Sequence, residues 1–149
     1  MSSSKWALPA EETEYKISEE TAAKSVMEIV QHYHIDIERM PGDDQKNAIE
    51  SALATLQRGF QAGLLETEIT DDGTMNVIQH LESNKQTLTY KEMQGKHKRA
   101  MDGFPEGTLF ERQQALLGSL CGLGKDVIGT LRGFDLKLAE SLSICFLAA

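Results

Sequence analysis

The final third of the chain, residues 108–149, constrains the fold most, because its apolar side chains recur at helical spacing between glycines. A helix with an apolar stripe needs another element to cover that stripe. The glycine breaks predict three closing helices, over 109–121, 126–132 and 135–147. Asp126 and Asp135 are the candidate N-caps of the last two. A Leu-rich helical core or contact surface is therefore expected at this end.

Two further helices are predicted in the first half of the chain. Ser18 precedes two acidic residues and a helical pattern that fades around 32–34, which is typical of an N-capped helix. After the MPGDD turn, apolar residues recur at spacings of three and four, which indicates an amphipathic helix. These residues are Ile49, Leu53, Leu56, Phe60 and Leu64.

The segment between these helices and the Leu-rich end has strand character. Asp72-Gly73 lies between strand-like flanks, which is a hairpin signal, and QTLTYKEM alternates beyond it. The predicted fold is α+β and mostly helical, with a small two- or three-stranded antiparallel sheet packed against helices. Residues 1–16 are expected to form an extended N-terminal arm before a single domain over 17–149. Its parts are an acidic helical part (17–65), the sheet (66–92) and the Leu-rich helices (109–147).

The charge distribution and the apolar content exclude several classes of partner. Residues 1–75 carry 15 acidic and 6 basic side chains, a net charge of −9, which does not suit a nucleic-acid partner. The chain shows neither a signal-peptide pattern nor an apolar run of membrane-spanning length, so we expect a cytoplasmic protein without a membrane partner. Cys121 and Cys145 are expected to be reduced thiols that act as small hydrophobes.

The alternating stretch QHYHIDIE allows a metal site as an alternative. If this stretch is a strand, His32, His34, Asp36 and Glu38 project from one face, and histidine with carboxylate is a usable ligand set. A solvated polar face on an edge strand or at a fraying helix end explains the same residues without a metal. No second ligand cluster accompanies them, so no metal or other cofactor is predicted.

Other patterns that suggest chemistry fail in detail. GLGKD resembles a phosphate loop, but Ser119 stands where that motif needs glycine and Asp126 stands where it needs Ser or Thr, so a helix-breaking turn is predicted. The basic residues Lys91, Lys96, His97, Lys98 and Arg99 lack interleaved aromatics, which favours a solvated face or a docking patch for an acidic partner. Neither cysteine has a neighbour that favours a thiolate. We therefore predict that the protein is not an enzyme.

From about Val77 onward, the layout resembles the small tail assembly chaperones of long-tailed bacteriophages and prophages. A Thr-Leu-Thr-aromatic run leads to a basic stretch in QTLTYKEMQGKHKRAMDG, and ERQQALLGSLCGLGKDVIGTLRGFDLKLAESLSICFL closes the domain. The likeness is carried by a Leu-rich helix, Gly-Leu, a short helix, Phe134-Asp135 and a final helix. It covers about half the chain.

The resemblance implies a non-enzymatic protein that binds the phage tail tape measure protein in the host bacterial cytoplasm. The residues expected to line the contact are Leu116, Leu120, Leu123, Leu131, Leu138, Leu142 and Phe146. Each is equally a core candidate, and self-association is a further possibility for the same apolar stripes. Two alternatives stay open: a structural tail or neck adaptor of a phage particle, and a small metal-dependent enzyme that uses His32, His34 and Asp36.

Overall fold

A computed structural model describes residues 17–94 and 109–148. Its helices are α1 (Glu19–His32), α2 (Asp43–Gln61), α3 (Leu109–Cys121), α4 (Lys125–Gly129) and α5 (Gly133–Ala148), with a 3-10 helix at Ile37–Arg39. The strands are β1 (Leu65–Ile69), β2 (Met75–His80) and β3 (Thr87–Tyr90). The α+β, mostly helical fold with a small antiparallel sheet is confirmed. The predicted arm at 1–16 lies outside the described residues.

The two ends of helix α1 are determined by a side-chain cap and by a change in backbone conformation. The Ser18 side chain accepts a hydrogen bond from the Thr21 N–H at 3.2 Å, and Glu19 and Glu20 occupy the first turn. At the other end His34 adopts a left-handed φ of 55°, which turns the chain out of the helix. The 3-10 helix follows at once, so the strand hypothesis for QHYHIDIE is wrong.

The sheet is an antiparallel meander in the order β1-β2-β3. Its register pairs Thr67 with Val77 and Val77 with Tyr90, so alternate residues of all three strands share each face. The inner face contributes Leu65, Met75, Val77, Gln79, Leu88 and Tyr90 to the interior. The outer face carries mostly polar side chains, as expected for an antiparallel sheet with one solvated face.

Helix α5 lies at the centre of the core. It packs mainly against α2 and also against α3, and Leu138, Leu142 and Phe146 on it have no exposed surface. The close packing on α2 depends on Gly59, where a Cβ atom would lie 2.6 Å from Cδ2 of Leu138. Polar Ser141 and Ser143 are buried on α5, whereas apolar Ile144 and Leu147 are partly exposed, which explains why α5 has little amphipathic character.

A buried polar network ties the start of α5 to the sheet. The Tyr90 hydroxyl donates to Oε1 of Gln79 at 2.8 Å, and the Gln79 side-chain amide donates to the backbone carbonyl of Asp135 at 2.8 Å. The Asp135 carboxylate accepts the backbone N–H groups of Glu82 and Ser83, at 2.9 and 3.1 Å. The prediction that Asp135 is an N-cap is therefore wrong. Asp135 is a first-turn residue of α5 that binds the β2–β3 turn. Asp126 likewise lies inside α4, whose N-cap is Gly124.

Candidate functional site

The structure places six of the seven predicted contact residues in the hydrophobic core. Their side chains are 0–7% exposed and belong to one cluster that also includes residues of α1, α2 and the sheet. These six residues are Leu116, Leu120, Leu131, Leu138, Leu142 and Phe146. They are brought together, but as interior packing, which is the core alternative that the sequence left open. In this conformation they offer no surface to a partner.

Leu123 is the exception among the seven. It lies in the turn between α3 and α4 and is 55% exposed. This turn is built by Gly122 and Gly124, both with positive φ, while the N–H groups of Leu123 and Gly124 donate to the Gly118 carbonyl. The GLGKD segment is therefore the predicted helix-breaking turn, and it presents an apolar side chain to solvent.

An apolar pocket remains open where α2, α3 and α5 meet. We call it the terminal groove, and its volume is about 180 Å³. Ile144, Leu147 and Ala148 of α5 form one wall, and all three are partly exposed. The full lining is Gln45, Ala48, Ile49, Gln113, Ile144, Leu147 and Ala148. The lining of the groove therefore combines apolar side chains with two polar ones, Gln45 and Gln113.

The ligand set of the alternative metal site, His32, His34, Asp36 and Glu38, is not assembled. His32 contacts Glu92 through Nε2 and Oε1, and the same carboxylate oxygen accepts the Met75 N–H at 3.1 Å. Asp36 instead caps the 3-10 helix by accepting the Arg39 N–H at 3.3 Å, and His34 is exposed. Over residues 17–94 and 109–148, no group of three or more His, Cys, Asp or Glu side chains could hold a metal ion. The geometry does not support the metal-dependent alternative.

The end of α1, next to His32, makes contacts that the sequence did not reveal. Next to it, the Tyr33 hydroxyl accepts the Met93 N–H at 3.4 Å, and the Tyr33 ring packs against Phe146 with centroids 5.4 Å apart. The end of α1 is thus bound both to the segment after β3 and to α5. Burial raises the pKa of the Tyr33 hydroxyl to about 12, and the nearby Glu92 carboxylate acts in the same direction.

Both thiols are in environments that disfavour the thiolate. Burial raises the pKa of Cys145 to about 12, and burial also raises the pKa of the half-buried Cys121. Cys145 is in the hydrophobic core, and the Cys121 thiol donates to the Gly118 carbonyl at 3.6 Å. The two cysteines therefore act as small hydrophobic residues in the folded chain.

A larger, polar pocket of about 610 Å³ lies beside the β1–β2 turn. Its Thr70, Asp72 and Thr74 side chains hydrogen-bond to one another, and these bonds hold the pKa of Asp72 below its usual range. The side chains of these three residues thus help to shape the hairpin. Of the predicted basic cluster, only Lys91 is within the described residues, and its N–H donates to the Leu120 carbonyl at 3.1 Å.

Comparison with known proteins adds no relative. A scan of protein-family models and searches of curated proteins and solved structures find no match to the chain. Within the part of the chain that the structure describes, no helix is both long enough and apolar enough to cross a bilayer.

Proposed function

We propose that the protein is a non-enzymatic tail assembly chaperone of a phage or prophage, which binds the tape measure protein in the cytoplasm of the host bacterium. The order of elements after β2 supports this proposal, because β3, the Leu-rich α3, the short α4 and the final α5 follow the pattern on which the sequence resemblance depends. The observation that carries the proposal is the terminal groove, an apolar surface that stays open after the core has closed.

The terminal groove suits one face of a helical partner. In helix-in-groove recognition, apolar anchors at helical spacing on an amphipathic helix dock into a hydrophobic groove. Ile144 and Leu147 supply apolar surface to the groove, while Gln45 and Gln113 supply hydrogen-bonding groups to its lining. A long helix that exposes an apolar face before assembly is the chemistry expected of a tape measure protein. Binding covers that face, and release follows when the tail tube forms around it.

The test is an affinity pull-down of the tagged full-length chain from host cells in which the resident phage has been induced. We expect recovery of one long, helix-rich tail protein, identified by mass spectrometry, and we expect none of this chain in purified particles. If the chain is present in purified particles, the structural tail or neck adaptor is the better explanation. Recovery of only the chain itself or of cellular proteins contradicts the chaperone function.

A matched pair of variants locates the contact. Ala48 and Ala54 are both exposed on α2, but only Ala48 lines the terminal groove. Ala48→Glu places a charge in the groove and is expected to abolish recovery of the tail protein, whereas Ala54→Glu is expected to leave recovery unchanged. Equal recovery of the tail protein by both variants would show that the groove is not the contact surface. The function would then still be decided by the pull-down with the unaltered chain.

A further inference from the structure

The two outer strands of the sheet, β1 and β3, differ in whether a neighbouring element bonds to their outward backbone groups. In the β2–β3 ladder the Leu81 N–H donates to the Gln86 carbonyl at 2.8 Å, so Thr87, Thr89 and Lys91 direct their backbone polar groups away from β2. Helix α3 occupies that edge, because the Leu120 carbonyl accepts the Lys91 N–H at 3.1 Å. One edge of the sheet is therefore partly satisfied by a neighbouring element.

The β1 edge has no such neighbour among the described residues. The Thr70 N–H donates to the Thr74 carbonyl at 2.9 Å, and the His80 N–H donates to the Leu64 carbonyl at 2.8 Å. These two bonds determine which alternate residues of β1 are hydrogen-bonded to β2. The backbone groups of Glu66 and Glu68 bond to β2, whereas the N–H and C=O groups of Thr67 and Ile69 point away from it. No described residue pairs with those outward groups. An edge with unpaired backbone groups is a template for another strand.

The side chains along this edge define what can pair with it. Glu66 and Glu68 lie on the outer face and are exposed, where Glu66 contacts His80 at 2.8 Å and Glu68 accepts the Asn76 amide at 3.0 Å. On the inner side Ile69 is 59% exposed, while Leu65 is fully buried. The accessible edge is therefore short, acidic on one side and apolar on the other.

We propose that the β1 edge binds an extended peptide segment in antiparallel orientation, with Lys or Arg at alternate positions and apolar or Thr residues between them. In such a pair the basic side chains lie opposite Glu66 and Glu68 at the close, non-hydrogen-bonded positions, while the intervening residues exchange backbone bonds with Thr67 and Ile69. A second copy of β1 does not fit, because antiparallel pairing about Thr67 places Glu66 opposite Glu68 of the other copy. The proposal is independent of the tail assembly function.

The test uses the fluorescein-labelled peptide Lys-Val-Lys-Thr-Lys-Val-Lys and two N-methylated forms, with binding to the full-length chain followed by fluorescence anisotropy. Because only the Val and Thr amides face β1, methylating them is expected to weaken binding by about tenfold or more. Methylating the lysine amides, which point outward, is expected to change binding by less than about threefold. The two forms have equal charge, so they separate strand pairing from attraction between charges.

Variants of the protein test the same geometry from the other side. Thr67→Pro removes an outward N–H without removing a bond to β2, and proline is tolerated at such edge positions, so the variant is expected to fold and to lose binding. Glu66→Lys with Glu68→Lys is expected to lose binding through charge repulsion, with the backbone edge intact. Circular dichroism checks folding, and if Thr67→Pro fails to fold, the peptide series on the unaltered chain still decides. Absence of binding by the parent peptide, or equal binding by both methylated forms, overturns the proposal.

Discussion

At the scale of single residues, Gly59 shows how one missing side chain determines the packing of two helices. A Cβ atom at this position would lie 2.6 Å from Cδ2 of Leu138 and 2.9 Å from Cδ1 of Leu65. Both neighbours are fully buried, so neither has free space into which it can move. Glycine at this point of α2 therefore reflects the close approach of α5 and of β1, and the helix propensity lost there is offset by packing.

Gly59→Val is expected to lower the free energy of unfolding by about 1–3 kcal/mol, because the added methyl groups overpack a closed core. The measurement is urea denaturation followed by far-ultraviolet circular dichroism. Gly129→Val is the control, since a Cβ there meets only Oε1 of Gln114 at 3.6 Å. Equal midpoints for the two variants would contradict the close packing at Gly59.

Tyr33 carries a pH dependence whose sign follows from its burial. Burial raises its pKa to about 12 in the folded chain, whereas an unfolded tyrosine titrates near its ordinary value of about 10. The unfolded chain thus releases this proton first, so the stability that Tyr33 contributes is complete below pH 10 and is lost as the pH rises towards 12. Burial also raises the pKa of Tyr90, which acts in the same direction.

We expect the stability advantage of the unaltered chain over Tyr33→Phe to shrink as the pH rises above about 10. The free energy of unfolding of both proteins is measured by chemical denaturation at a series of pH values from 8 to 11. Since Tyr90 is present in both proteins, its contribution cancels in the difference. A difference that does not change with pH would show that the Tyr33 hydroxyl is not buried as described.

At the scale of elements, the start of α5 and the β2–β3 turn stabilise each other through Asp135. Its carboxylate accepts two backbone N–H groups from the turn, and its carbonyl accepts the Gln79 amide. Hydrogen bonds to a charged acceptor are stronger than neutral ones, and losing the acceptor leaves the donors unsatisfied. The turn is thus positioned by a residue more than fifty positions further along the chain.

Asp135→Ala is expected to lower the free energy of unfolding by about 1–3 kcal/mol, since both turn N–H groups lose their acceptor. Asp126→Ala is the matched control, because Asp126 is an exposed first-turn residue of α4, and its loss is expected to cost less than about 1 kcal/mol. Hydrogen exchange of the Glu82 and Ser83 amides should increase in Asp135→Ala alone. Unchanged exchange in that variant would contradict the contact.

Most elements were predictable because their signals are local. Ser18 capping, the spacing of Ile49 to Phe60 and the Asp72-Gly73 turn each specify structure within a few residues. The stretch after His32 is not the strand that its alternation allows, since alternation alone does not reveal that His34 turns left-handed and Asp36 caps a 3-10 helix. The role of Asp135 also escaped prediction, because its partners are distant in sequence.

At the scale of the whole molecule, the leucines of the C-terminal third separate into core and surface. Leu120 is 1% exposed at the end of α3, while Leu123, three residues later, is 55% exposed. The periodicity of a sequence indicates which residues share a helix face but not what lies against that face. Periodicity does not indicate the terminal groove or the β1 edge for the same reason, since both depend on which elements contact each other in the folded chain.

A pair of charge insertions tests this division. Leu120→Asp is expected to prevent folding, because it buries an unpaired carboxylate in the core, whereas Leu123→Asp is expected to change the free energy of unfolding by less than about 0.5 kcal/mol. Circular dichroism and size-exclusion chromatography of both variants provide the measurement. A folded Leu120→Asp protein would show that α3 is not packed as described.

The central position of α5 also bears on how the chain folds during synthesis. The α2 face that receives α5 is translated about eighty residues before Leu138, so it leaves the ribosome long before its covering helix. Until α5 emerges, the apolar face of α2 that packs against it lacks this cover, which favours aggregation of the nascent chain. Slow translation of the last helix would prolong that exposure, so codon usage over residues 133–148 should influence the yield of folded protein.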